Sequence, residues 1–176
     1  ELDFSLLDFW KWSPSDFLSN TARGILAEFI VTTALKIDIK QARKEWDAYD
    51  LITEDNIKIE VKSSAYLQTW EQYKLSNISF GCGLSKKWDY IIDKRSEVTK
   101  RHADVYVFCL LNHQDKTTIN PLNTDLWEFY VISTKELEAN IKNQKSISLG
   151  SLKRFCKSVK YSEIQETVNL KNLQNQ

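Results

Sequence analysis

Glu60-Val61-Lys62, with Asp50 ten residues before Glu60, places two carboxylates and an ammonium in one short stretch. Ile57, Ile59 and Val61 alternate with Lys58, Glu60 and Lys62, the period-two pattern of a strand with one apolar and one polar face. Glu60 and Lys62 therefore leave the same face, about 7 Å apart at the rise of an extended chain. Such a pair is either an ordinary solvated ion pair or a metal ligand beside an amine that steadies an attacking water.

The triplet alone does not choose between these readings. With 24 acidic residues and 19 lysines in 176, random placement gives about 2.6 acidic-x-Lys triplets. The chain has two, Asp38-Ile39-Lys40 and Glu60-Val61-Lys62. The first lies in a basic run (Lys36, Lys40, Arg43, Lys44) with no carboxylate-bearing strand before it. The second follows Trp46 to Ile52, which reads as a strand, and a turn-rich Thr53-Glu54-Asp55-Asn56, so a hairpin is expected. Asp50 then falls near the position across from Glu60, on the strand face opposite Tyr49 and Leu51. Asp47, three residues earlier, competes with it from the other face.

The elements that must hold these residues follow from the same patterns. Residues 1–12 form an apolar arm (Leu2, Phe4, Leu6, Leu7, Phe9, Trp10, Trp12) expected to dock on the body. Ser13-Pro14-Ser15-Asp16 reads as a helix start, with Ser as N-cap and Pro in the first turn. That helix is expected to run to about Leu35, with a break near Asn20 or Gly24, and to be largely buried. Glu28 lies on it among apolar neighbours, where an unpaired charge is costly; it either pairs with a cation or serves the site. Tyr66 to Leu75 fits a helix or irregular chain, and Ile78 to Phe80 a short strand. Lys86 to Arg101 carries a local basic excess and is expected as loop and helix.

Ala103 to Asn112 is the strongest strand, apolar on both faces and hence central. Trp127 to Ile132 is another, followed by a capping box, Ser133-Thr134-Lys135-Glu136, into a short helix. Ser146 to Leu149 is a marginal strand, and Ser151 is expected to cap a helix to about Val159. Residues 163–176 form a last amphipathic helix or tail that frays at its Asn/Gln-rich end. The whole is one α/β domain, residues 1–176, around a mixed sheet flanked by helices.

Composition excludes several classes. Lys+Arg and Asp+Glu are both 24, so there is no global basic field, and any nucleic-acid surface must be local. Cys82, Cys109 and Cys156 lack metal or disulfide spacing and read as reduced and buried. No apolar run is long enough to span a membrane and no signal peptide is visible, so a soluble, cytoplasmic protein is expected. The chain opens on Glu1 without Met, which suits a trimmed chain or part of a longer protein with a further domain or subunit. Four glycines form no phosphate-binding loop, His102 and His113 lack ligand spacing, and no nucleophilic Ser elbow is present.

What remains is oxygen-ligand chemistry. Mg²⁺ takes one or two carboxylates plus waters and substrate phosphates. Asp50 and Glu60 can supply the carboxylates, with the Val61 backbone carbonyl as a third ligand. Lys62 can orient or deprotonate a water, or neutralise phosphate charge. Glu28 can hold a bound water or a second ion.

Helix Glu28 within Arg23-Gly24-Ile25-Leu26-Ala27-Glu28-Phe29, then Tyr49-Asp50-Leu51, then Ile59-Glu60-Val61-Lys62-Ser63-Ser64 and a central strand at Asp104 resembles the PD-(D/E)XK nuclease superfamily over roughly residues 15–112. Tyr49 stands where the motif's name has Pro. The resemblance implies a restriction-endonuclease-like mixed central β-sheet flanked by helices. It also implies Mg²⁺-dependent hydrolysis of DNA phosphodiester bonds, with Mn²⁺ as a substitute. Asp50 and Glu60 would be metal ligands and Lys62 the catalytic lysine.

Ser64, Gln68, Gln72, Lys86, Lys87, Arg95, Lys100 and Arg101 are the expected nucleic-acid contacts. Tyr66 and Trp70 can stack on bases but are expected in the core. The residues do not separate DNA from RNA, and cutting both strands of a duplex would be easiest for a homodimer. Host defence or DNA processing is the expected setting. The competing reading is a binding module on the same fold without turnover; a third is a structural domain whose Glu60 and Lys62 merely pair. Burying two carboxylates near phosphates brings a pure binder no gain, which favours the enzyme.

Overall fold

The computed structural model describes residues 3, 5–13, 15–40, 48–89 and 94–175, with side chains for all but 87–89, 94 and 95 of these. The seven-residue helix α1 (Leu6–Trp12) and the long helix α2 (Asn20–Ala34) come first. Strands β1 (Leu51–Ile52) and β2 (Lys58–Ala65) form the expected hairpin, and β3 (Ser79–Gly81) follows. A two-stranded ribbon, β4 (Ser85–Asp89) with β5 (Lys94–Lys100), leads into β6 (Val105–Leu111). The rest is β7 (Trp127–Ser133), α3 (Thr134–Ile141), β8 (Ser146–Ser148), α4 (Leu149–Leu152), β9 (Ser158–Val159) and α5 (Ile164–Asn175).

The central sheet has five strands in the order β1-β2-β6-β7-β9. Only β2 and β6 are parallel, with Glu60 beside Tyr106 and Lys62 beside Phe108. The expected mixed sheet flanked by helices is what forms. Seven consecutive buried residues make β6 the centre, and its alternation divides the core. Val105, Val107, Cys109 and Leu111 join Ile59 and Val61 of β2 against α2 and α5. Tyr106, Phe108 and Leu110 face the other way, onto Phe80, Leu137, Ile147 and Leu152. Glu60 and Lys62 belong to this second face. Among the described residues, only the two of β1 pair with the outer side of β2, so their strand stays partly open there.

Several elements differ from expectation. The first long helix starts at Asn20, capped by Ser19, and passes through Gly24 unbroken; Ser13 ends α1 instead. Pro14 and residues 46–47 lie outside the described residues. Helix α1 buries no residue, so this part of the arm is not docked; a Ser5–Asp8 capping box closes it locally while Leu6, Leu7, Phe9, Trp10 and Trp12 stay exposed. Helix α2 is buried on one side only, leaving Ile25 and Phe29 about half exposed. The helix expected from Ser151 to Val159 is the single turn α4, capped by Ser148, with Val159 in an edge strand instead. The C-terminal helix runs to Asn175, whose side chain accepts a hydrogen bond from the Lys135 amide at 3.0 Å.

Phe108 is fully buried, packs at a tilt against Phe80 and stacks with Tyr106, at 5.2 and 5.8 Å between ring centres. Phe108→Ala should therefore lower unfolding free energy by about 3–5 kcal/mol in urea titration, the usual cost of emptying an aromatic site.

Candidate active site

The site is built just before β1 begins. The Asp50 amide donates to the Ile59 carbonyl at 3.0 Å, and the Asp50 carboxylate then accepts from the Val61 amide at 2.7 Å. A side chain thus takes the place of the next ladder bond. Continuing the Leu51–Ile59 register by one residue sets Asp50 opposite Glu60. The turn is secured by the Thr53 hydroxyl, which accepts from the Ile57 amide, and by Asn56 in the left-handed conformation that Asn tolerates. At the foot of β2, the Asp104 carboxylate accepts from the Lys58 amide at 2.9 Å, tying β2 to β6.

Lys62 Nζ lies 2.5 Å from Glu60 Oε1 and 3.5 Å from Asp50 Oδ2. All three side chains are mostly buried yet retain some solvent contact. Burial pulls the Lys62 ammonium down, but Glu60 and Asp50 together outweigh it and hold the group above the ordinary lysine range. Glu60 is pushed up instead. Burial is the main cause, partly offset by Lys62 and reinforced by the charges of Asp50 and Glu28. One ammonium serves two carboxylates, while each carboxylate feels the others. The cluster carries more negative than positive charge.

Glu28 is half-buried on α2, and its charge reaches both Glu60 and Cys109. Asp38 instead caps its own turn by accepting from the Lys40 amide. Its triplet serves local structure.

Among the described residues, no group of three or more His, Cys, Asp or Glu side chains is gathered as a metal site. The donor set still suits a hard divalent ion of the kind that takes two protein carboxylates and fills its shell with water and phosphate. Asp50 and Glu60 converge on one ammonium, and the surplus negative charge is of the sign such an ion relieves.

The expected nucleic-acid contacts divide. Ser64 is half-buried on β2, and Lys86 and Lys100 are exposed on the β4–β5 ribbon, which replaces the expected loop and helix. The side chains of Lys87 and Arg95 lie outside the described residues. Gln68 and Arg101 do not face solvent. The Gln68 amide donates to the Ala65 carbonyl and the Ser76 hydroxyl. Arg101 donates to the carbonyls of Cys82 and Gln144 and pairs with Glu138. Both are consumed in closing loops. Gln72, half-buried, accepts from the Gln68 amide and donates to Ser76. Asp47 lies outside the described residues.

Two features were not anticipated. Tyr106 stands beside Glu60, its hydroxyl pushed up by burial and by the nearby Glu60 charge. Trp70, expected in the core, is 57 % exposed. A neighbour on a parallel strand requires the register, which the sequence does not display.

Glu60→Gln removes the charge that this environment disfavours. In EDTA at pH 7 the variant should melt above wild type. A folded pKa raised above the unfolded value means that the native state holds the extra proton, so stability falls as pH rises through the window above about 4.5. The stability gap between variant and wild type should widen across that window in thermal melts, and Lys62→Met should not reproduce it.

No curated protein matches the chain. A sequence model of one family, described as bacteriophage T4 endonuclease IV, matches residues 5–151, a span that includes Glu28, Asp50, Glu60, Val61 and Lys62. With most of its length matched, the chain belongs to the bacteriophage T4 endonuclease IV family.

Proposed function

We propose that the chain is a divalent-metal-dependent endonuclease that hydrolyses DNA phosphodiester bonds at Asp50, Glu60 and Lys62, on a PD-(D/E)XK-type core. The endonuclease reading is supported by the family match. The observation that carries the site is the Lys62 ammonium held between the Asp50 and Glu60 carboxylates at the open edge of β2.

Asp50, Glu60 and the Val61 carbonyl would hold Mg²⁺, or Mn²⁺ in its place, with Glu28 acting through a water or a second ion. When bound, the ion supplies Lewis acidity and neutralises charge that builds on the phosphate. Asp50 keeps its place because the Val61 amide binds one of its oxygens. Lys62 would point its amine at the attacking water or a phosphate oxygen. Its raised pKa keeps it protonated at neutral pH, which favours orientation and charge neutralisation over proton abstraction in the resting state. Lys86 and Lys100 would add phosphate contacts from the ribbon. A role in host defence or DNA processing follows only as a proposal from the same reading.

The test is cleavage of supercoiled plasmid and labelled single strands with Mg²⁺, Mn²⁺ or EDTA. Wild type should cut only with the ion, and Lys62→Ala should lose about a hundredfold or more of the rate, the usual cost of a lost acid–base or orienting group. Cutting that survives in Lys62→Ala would remove these residues from the chemistry.

A further inference from the structure

Beyond the β2 site, the loop from Tyr66 to Ser76 holds a second feature. It has no regular structure, yet its ends meet where the Ser76 amide donates to the Tyr66 carbonyl at 3.0 Å. Gln68, Gln72 and Ser76 bond to one another inside it. Lys116, from the segment after β6, donates to the carbonyls of Thr69 and Trp70 at 2.9 and 3.1 Å and clamps it from outside. A compact loop closed by its own side chains is a form that often carries function. Burying Gln68 and Gln72 holds the loop while leaving its aromatic residues outside: Trp70 is 57 % exposed and Tyr73 fully so.

These two rings, with Leu67, Lys74 and Lys116, line a cleft of about 620 Å³. Its charged residues balance, Lys74 and Lys116 against Glu71 and Asp115. The Lys116 amine is also already engaged with carbonyls. A neutral, aromatic cleft offers little to a phosphate and much to a flat uncharged ring. It begins directly after β2, and Lys62 is three residues from the end of that strand at Ala65, about 10 Å along an extended chain. The loop that carries Trp70 and Tyr73 thus starts at the end of the strand that carries Lys62.

We propose that this cleft is a base-binding subsite, in which Trp70 and Tyr73 stack on a nucleobase of the strand whose phosphodiester lies at Asp50, Glu60 and Lys62. This rests on the endonuclease reading for the identity of the occupant. Stacking on an aromatic ring adds affinity for any base and requires no base-specific hydrogen bond. The cleft would thus contribute affinity and register, while the carboxylates and Lys62 act at the phosphate.

The test is fluorescence-anisotropy binding of a short labelled DNA strand in EDTA, in a Lys62→Ala background that leaves the strand intact. Trp70→Ala should weaken binding about tenfold, Trp70→Phe should restore most of it, and the salt dependence should not change because no phosphate contact is lost. Removing bases one at a time from the strand should find one position whose loss weakens the Trp70 protein but not Trp70→Ala. Unchanged affinity in both Trp70→Ala and Tyr73→Ala would overturn the subsite, as would a loss accompanied by a shallower salt slope. Cleavage by the otherwise wild-type chain separates the two claims. If it cuts DNA and the aromatic variants bind and cut equally well, the cleft falls and the endonuclease stands. If it cuts nothing while binding still depends on Trp70, the endonuclease falls and the cleft stands.

Discussion

The hydrogen bond from the Val61 amide to the Asp50 carboxylate, 2.7 Å long, is the contact on which the arrangement at β2 depends. A ladder that would otherwise continue along β1 ends there, because a side chain has taken the place of the next strand residue. Among the described residues no strand pairs with the outer edge of β2 past that point, and Asp50 is held beside Glu60 and Lys62. Closing a sheet edge with a carboxylate also blunts it against pairing with another chain. The same atom group thus ends a strand and builds a cluster.

The sheet around it explains why the cluster keeps its charge. Strand β6 is buried on both faces and pairs with β2 over its whole length, so the backbone under Glu60 and Lys62 is fixed by the most cohesive part of the core. Lys62 gains from facing two carboxylates, whereas Glu60 is set against burial and two like charges with one ammonium to offset them. Such a net imbalance is poor for stability and good for recruiting a cation, a common trade at functional sites.

Much of this was legible in the sequence because it follows from periodicity. The alternation from Ile57 to Lys62 put Glu60 and Lys62 on one face, and the run from Val105 to Leu111 announced a central strand. The turn chemistry of Thr53 to Asn56 placed Asp50 across from Glu60. Tertiary choices were less visible. Ser13-Pro14 has the composition of a helix start, but Ser19 provides the cap of α2, since either serine satisfies the local rule. Lys86 to Asp89 and Lys94 to Lys100 are the strands of a ribbon, although the charge of this region suggests a solvated loop and helix. Gln68, Arg101 and Trp70 were assigned the wrong side of the surface for one reason. Polar side chains that bond to loop carbonyls are buried, and the aromatic ring of that loop is turned out. Hydropathy alone predicts the reverse.

We propose that the surplus negative charge at Asp50 and Glu60 meets a divalent ion. Calorimetric titration of the wild-type chain with Mn²⁺, beside Asp50→Asn, tests this most directly. An asparagine can still accept from the Val61 amide, so the hairpin should survive while one charge is lost. The account predicts saturable binding to wild type that is abolished or greatly weakened in Asp50→Asn. No binding to the wild-type chain, or equal binding to both, would contradict it.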